Sequence, residues 1–108
     1  MQLKRKNLQV ILYYNVYMIN YEEDIVKRVS KGLILHDIFL HINNVFTAIA
    51  STKDLNLFDI KQLKLSKETN RIYYRLRKGK HRVIFYIENN DILAVTFDKR
   101  EEVYRKWQ

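Results

Sequence analysis

Residues 71–97 carry the pattern that most limits how this chain can fold. Ile72, Tyr74 and Leu76 alternate with Arg71, Tyr73, Arg75 and Arg77, a period of two that puts apolar groups on one face and three arginines on the other. Lys78-Gly79-Lys80 turns the chain, RVIFYI at 82–87 forms a partner strand, Glu88-Asn89-Asn90-Asp91 turns it again, and ILAVTF at 92–97 makes a third strand. Strands joined by loops this short pair antiparallel, because a parallel return needs a crossover of a dozen residues or more. A sheet with one apolar face must be covered, so the rest of the chain is expected to supply the cover.

Residues 8–19, LQVILYYNVYMI, are rich in β-branched and aromatic types and read as a first strand. Asn20 is placed to cap a helix over about 21–31, with Glu22, Glu23 and Asp24 in its first turn, Lys27, Arg28 and Lys31 in its last, and Gly32 after it. From Leu33 to about Thr52, Leu35, Ile38, Ile42, Val45 or Phe46, and Ile49 recur at helical spacing and form an apolar face that must lie against the sheet. Residues 53–70 are expected to be mostly irregular. Asp98 and Glu101 have the spacing of an N-cap and its capping partner, which predicts a short helix from Arg100 to about Trp107. The expected class is α+β: an N-terminal strand and a helix hairpin packed on a mainly antiparallel four-stranded sheet, with a short C-terminal helix.

No composition break divides the 108 residues, so 1–108 is expected to be a single domain, and 47% apolar residues are enough for one core. The absence of cysteine removes disulfides and thiolate zinc sites and agrees with a reducing cytoplasm. The basic start precedes an apolar run as in a signal peptide, but tyrosines and Asn15 interrupt the run and no small-residue cleavage site follows, so it reads as mature protein. Residues 33–50 include His36, Asp37, His41, Asn43 and Asn44, which hydrocarbon would not tolerate, so no membrane span is expected. His36 and His41 stand five apart without a carboxylate or cysteine cluster, and neither a metal nor a small-molecule cofactor is expected.

The net charge of +8 belongs to one segment. Between Lys61 and Arg82 there are nine basic residues and one acidic residue, while the other 86 residues balance. A field so concentrated attracts phosphates, through affinity and encounter rate alike. The plainer reading is a solvated face that keeps the protein soluble. Tyr73, Tyr74 and His81 interleave with the charges and favour RNA, whose unpaired bases stack on aromatic rings. Lys78, Lys80 and Arg77 would hold its backbone, and an acidic protein could use the same charges.

At these residues the chain resembles the RelE/ParE toxin superfamily. YRLRKGKHRVIF at 74–85, a further strand, and KREEVYRK at 99–106 are similar to the family's Tyr-Arg-x-Arg strand, glycine turn, Arg-Val-Ile strand and Arg-x-x-x-Tyr ending. The likeness covers roughly residues 61–106, including Lys-Gln-Leu-Lys at 61–64. It implies the RelE-like fold and a cytoplasmic toxin of a type II toxin–antitoxin pair, held by a cognate antitoxin and cutting mRNA in the ribosomal A site without metal. In that chemistry the ribose 2′-OH attacks the adjacent phosphate, so charge on the phosphate oxygens must be stabilised and protons moved. By this resemblance Arg82 contacts the scissile phosphate, Arg100 is the arginine before the C-terminal tyrosine, and Tyr104 is that tyrosine, which stacks on a base or takes part in proton transfer. Arg75 and Arg77 lie where the family has basic residues, and guanidiniums hold phosphate in a bidentate fork.

The chain also departs from the pattern. Tyr73 and Arg75 stand where some RelE-type nucleases have two lysines, and Lys99 stands where many relatives have a histidine. Arginine does not act as a base at neutral pH, so the general base is unassigned. His81 titrates in the right range, but alternation puts it on the face opposite Arg82. Glu101 and Glu102 are further candidates. Two rivals share the fold: a ParE-like inhibitor of DNA gyrase, which has no need of groups converging on one phosphate, and a degenerate module that binds RNA or protein without catalysis.

Overall fold

The sheet is organised by its two tight turns, each carried by residues that tolerate a left-handed backbone. In the computed structural model, which describes residues 18–63 and 71–107 with side chains to Val103, the order is β1 (Ile19–Tyr21), α1 (Glu23–Ser30), α2 (His36–Thr52), a 3₁₀ turn (Leu55–Leu57), β2 (Ile60–Gln62), β3 (Tyr74–Lys78), β4 (His81–Glu88), β5 (Asp91–Lys99) and α3 (Arg100–Trp107). Gly79, at φ 56°, takes the first central position of the β3–β4 turn, where a primed hairpin turn requires positive φ. Asn89 and Asn90, at φ 52° and 70°, make the β4–β5 turn, the two-positive-φ geometry that asparagine accepts. Both turns match the right-handed twist of the strands they join.

The expected three-strand meander is present, set in a mixed sheet of five strands in the order β1-β5-β4-β3-β2. The expectation of four strands is corrected by β2, which pairs antiparallel with β3 inside a segment expected to be irregular. Three residues are too few to display an alternation of their own, and β2 is a strand because β3 offers it an edge. β1 pairs parallel with β5 and is placed at Ile19–Tyr21, so of the expected 8–19 strand only its last residue falls in β1; residues 1–17, like 64–70, lie outside the described residues.

Two expected caps are also corrected. Asn20 sits in β1 opposite Leu93, and the residue at the N-cap of α1 is Glu22, whose side chain makes no cap bond. Asp98 stays in β5 opposite Arg82, and its Oδ1 accepts from Arg28 Nη1 at 2.8 Å. In both cases the strand ladder outcompeted the local capping preference. The C-terminal end of α1 agrees with expectation: Gly32 is left-handed at φ 76°, and the Gly32 and Leu33 amides close on Val29 O and Arg28 O.

α1 and α2 cover one face of the sheet. α2 buries Phe39, Ile42, Val45, Phe46, Ile49 and Ala50 against Leu76, Val83, Phe85, Ile92, Ala94 and Phe97. Phe46 and Phe85 meet edge to face at 5.0 Å. Tyr21 is buried beside Phe39 with its hydroxyl donating to Asn43 Oδ1 at 2.7 Å, and burial pushes its phenol well above the ordinary range. Alternation along β4 sends Val83 and Phe85 into this core and Arg82, Ile84 and Tyr86 to the other face. Among the described residues no helix is long and apolar enough to cross a membrane.

Candidate functional site

Strand register decides which side chains share the face turned away from α1 and α2. Lys61 pairs with Arg75, Arg75 with Ile84, and Ile84 with Thr96, so these four form one row across the sheet. One rung nearer the β3–β4 turn, Arg77 pairs with Arg82 and Arg82 with Asp98. Directly opposed like charges destabilise a sheet. The carboxylate of Asp59, paired with Arg77, reduces that cost. Asp59 receives Arg75 Nη2 at 3.2 Å on one oxygen and Arg77 Nε on the other.

α3 completes the site. Its first amide, that of Arg100, donates to Lys80 O at 3.1 Å, which ties the start of the helix to the β3–β4 turn. Val103 and Ile84 are both buried although neither belongs to the core beneath α2, so α3 and β4 make a second, smaller apolar contact on the opposite face. Around that contact lies an open cleft lined by Lys61, Leu63, Arg75, Arg82, Ile84, Arg100 and Val103. Its four cations come from four elements: β2, β3, β4 and α3. Leu63, Ile84 and Val103 give it an apolar floor, where charges interact more strongly than in water.

Two of these arginines are held in specific ways. Arg82 is only 9% exposed, and its Nη1 donates to Gly79 O at 2.8 Å and His81 O at 2.9 Å, so the turn that begins β4 also fixes its guanidinium. Arg75 Nε is buried and has no hydrogen-bond partner among the described residues. An unmade buried hydrogen bond costs about 1–3 kcal/mol. An acceptor entering the cleft, such as a phosphate oxygen, would remove that cost.

The structure therefore brings Arg75, Arg82 and Arg100 together and adds Lys61. The sequence reading counted Lys61 among the basic residues without placing it in the site; its signal, a register position opposite Arg75, exists only once β2 is recognised as a strand. Tyr104 occupies the α3 turn after Arg100, and its side chain lies outside the described residues. Arg77 shares the cleft's face but is held by Asp59. Lys78 and Lys80 are exposed at the turn. His81 lies on the opposite face, its ring 6.0 Å from Phe97, with Lys99 as its strand partner. Burial first, then Lys99 and Arg82, lower the His81 pKa. Tyr74 stacks on Phe85 at 5.4 Å, on the core side, so its ring is a packing element. Tyr73 lies on the cleft's face, edge-on to Tyr86 at 5.7 Å. Of the carboxylates weighed as a base, Glu101 and Glu102 are exposed on α3 and neither lines the cleft.

No family model matches the chain, and no curated protein does. Among solved structures, a chain of the RelB–RelE antitoxin–toxin complex from Methanococcus jannaschii superposes with a TM-score of 0.57 at 22% identity, over 82% of this chain and 98% of that one. A chain of the archaeal RelE–RelB complex from Pyrococcus horikoshii OT3 superposes with a TM-score of 0.55 at 21% identity, over 78% of this chain and 94% of that one. The chain thus has a RelE-like fold.

Proposed function

We propose that the chain is the toxin of a toxin–antitoxin pair and cleaves mRNA in the ribosomal A site, with its cationic cleft as the active site. The observation that carries the reading is the convergence of Lys61, Arg75, Arg82 and Arg100 from four separate elements on one cleft. A solvated basic face would spread such charges to gain solvation. Here they line one cleft, and one arginine donor, Arg75 Nε, is unmatched among the described residues.

In the reaction, the ribose 2′ oxygen attacks the adjacent phosphorus, the bond from phosphorus to the 5′ oxygen breaks, and a cyclic phosphate and a free 5′ hydroxyl result. Arg82, Arg75 and Arg100 act on the non-bridging oxygens, where negative charge grows in the transition state. Their guanidiniums keep their charge throughout and are oriented before substrate arrives, Arg82 by the turn carbonyls and Arg75 by Asp59. Lys61 is the one cleft-lining side chain among the described residues that can release a proton, and it serves the departing 5′ oxygen. Tyr104, by its resemblance to the family tyrosine, stacks on a base or takes part in moving the proton of the 2′-OH. Arg77, Lys78, Lys80 and Lys99 extend the positive field beyond the cleft and steer RNA toward it. An antitoxin with an acidic segment would neutralise the same surface.

Expression without the antitoxin tests the proposal. Translation is expected to stop, with mRNA cut inside codons when 5′ ends are mapped. Arg82→Ala is expected to lower cleavage by about 10²-fold or more, the usual effect of removing one preorganised oxyanion donor. DNA damage with intact mRNA would reject cleavage in favour of gyrase inhibition.

A further inference from the structure

The face that holds the cleft continues, one rung further from the β3–β4 turn, into a row of different chemistry. Tyr86 pairs with Leu93 across β4 and β5, and Tyr73, just before β3, meets Tyr86 edge to face with centroids 5.7 Å apart at 82°. The Arg71 guanidinium lies 3.9 Å over the Tyr86 ring, and its Nη2 donates to Glu88 at 3.2 Å. All are half-buried or exposed. Tyr73, Tyr86 and Leu93 belong neither to the core under α2 nor to the residues packed on it. α1 and α2 cannot cover them, being on the other side of the sheet.

We propose that Tyr73, Tyr86 and Leu93, with Arg71 stacked on Tyr86, form a docking row for unpaired RNA bases next to the phosphate held in the cleft. This rests on the reading of the cleft as an RNA site and adds where the neighbouring nucleotides lie. Spacing supports it: two residues advance about 6.7 Å along a strand, close to the separation of phosphates in an extended single strand. From Arg82 through Ile84 to Tyr86 are two such steps, so a phosphate at Arg82 leaves a base within reach of Tyr86. The chemistry agrees as well. Open sheet faces carrying aromatic rings bind single-stranded RNA by stacking, and an arginine plane stacks on bases in the same way. Charge complementarity points to nucleic acid, because the cations flanking the row belong to the segment that carries the whole net charge.

The test uses the full chain and a fluorescent single-stranded oligonucleotide with 2′-O-methyl riboses, which resists attack by its own 2′ oxygen. Tyr73→Leu and Tyr86→Leu are expected to weaken binding about 5- to 150-fold each, the range for losing one stacked base, and to leave the salt dependence unchanged. Arg75→Ala should instead flatten the salt dependence. Oligonucleotides with abasic positions next to the bound phosphate should lose similar affinity for the unaltered chain and lose nothing further with Tyr86→Leu, a comparison that stands even if one variant folds poorly. Equal binding of intact and abasic oligonucleotides, with RNA still bound, would overturn the row while leaving the cleft reading intact. Loss of antitoxin binding alone in folded tyrosine variants would also overturn it, by assigning the row to a protein partner. No RNA binding by the unaltered chain would remove the cleft reading and the row together.

Discussion

Replacing Asp59 by asparagine should strengthen RNA binding at low salt and weaken catalysis, a split that follows from the two guanidiniums this carboxylate holds. Asp59 lies just before β2, its carbonyl accepts from the Arg77 amide at 3.0 Å, and its carboxylate engages Arg75 and Arg77. Both pairs are partly exposed, and such pairs contribute about 0.2–1 kcal/mol each, so Asp59→Asn should cost less than about 2 kcal/mol and leave the fold intact. For RNA the balance reverses. Arg75 already contacts the phosphate in the proposed site, so Arg77 is the contact that release from the carboxylate adds, and each phosphate contact contributes about 0.7 to the slope of log affinity against log salt for single strands. The slope should therefore steepen by about 0.7.

Turnover should move the other way, because Arg75 loses the partner that orients it, and misplacement of a positioning group by about 1 Å can cost 10²-fold. The assay is cleavage of mRNA on programmed ribosomes, with kcat and KM separated, alongside salt titrations of binding to the uncleavable oligonucleotide. Asp59→Glu, which retains the charge, should restore part of kcat and return the slope toward its starting value. An Asp59→Asn chain with unchanged slope and unchanged kcat would refute the reasoning, since neither guanidinium would then have been restrained in any way that matters to RNA.

Phe46→Ala should destabilise the chain by about 3–5 kcal/mol in denaturant unfolding, because Phe46 is fully buried and joins α2 to β4 through Phe85. His81 predicts a pH effect with a definite sign. Its folded pKa lies below the ordinary 6.5, so its neutral form contributes stability above that value, and the contribution is lost as pH falls through the folded pKa. Thermal unfolding of the unaltered chain between about pH 7.5 and 5 should accordingly decline more than that of His81→Gln.

Much of the architecture was legible because it is decided locally. The alternation of 72–77, the turns at Gly79 and Asn89-Asn90, and the helical spacing of Ile38, Ile42 and Ile49 each depend on neighbours a few residues away. The misread positions have in common a distant partner that overrode a local preference. Asn20 and Asp98 are good cap residues drawn into strand ladders by Leu93 and Arg82, and β2 is a strand only because β3 lies beside it. The candidate site divides the same way. Arginines at 75, 82 and 100 stood out by type and order, whereas Lys61, Asp59 and Tyr86 acquired roles only when register set them beside those arginines or beside Tyr73.

What the chain declares by itself is the concentration of positive charge in 61–82 and the presence of a sheet able to display it, since charge is additive and strand alternation is a short-range steric property. Which cations face one another, which are quenched by a carboxylate and which enclose a cleft were decided by pairing across the sheet and by the docking of α3. The cleft alone joins Lys61 to Arg100, 39 positions apart. A shift of one residue in any strand would send its side chains to the other face, so their arrangement is a property of the tertiary structure.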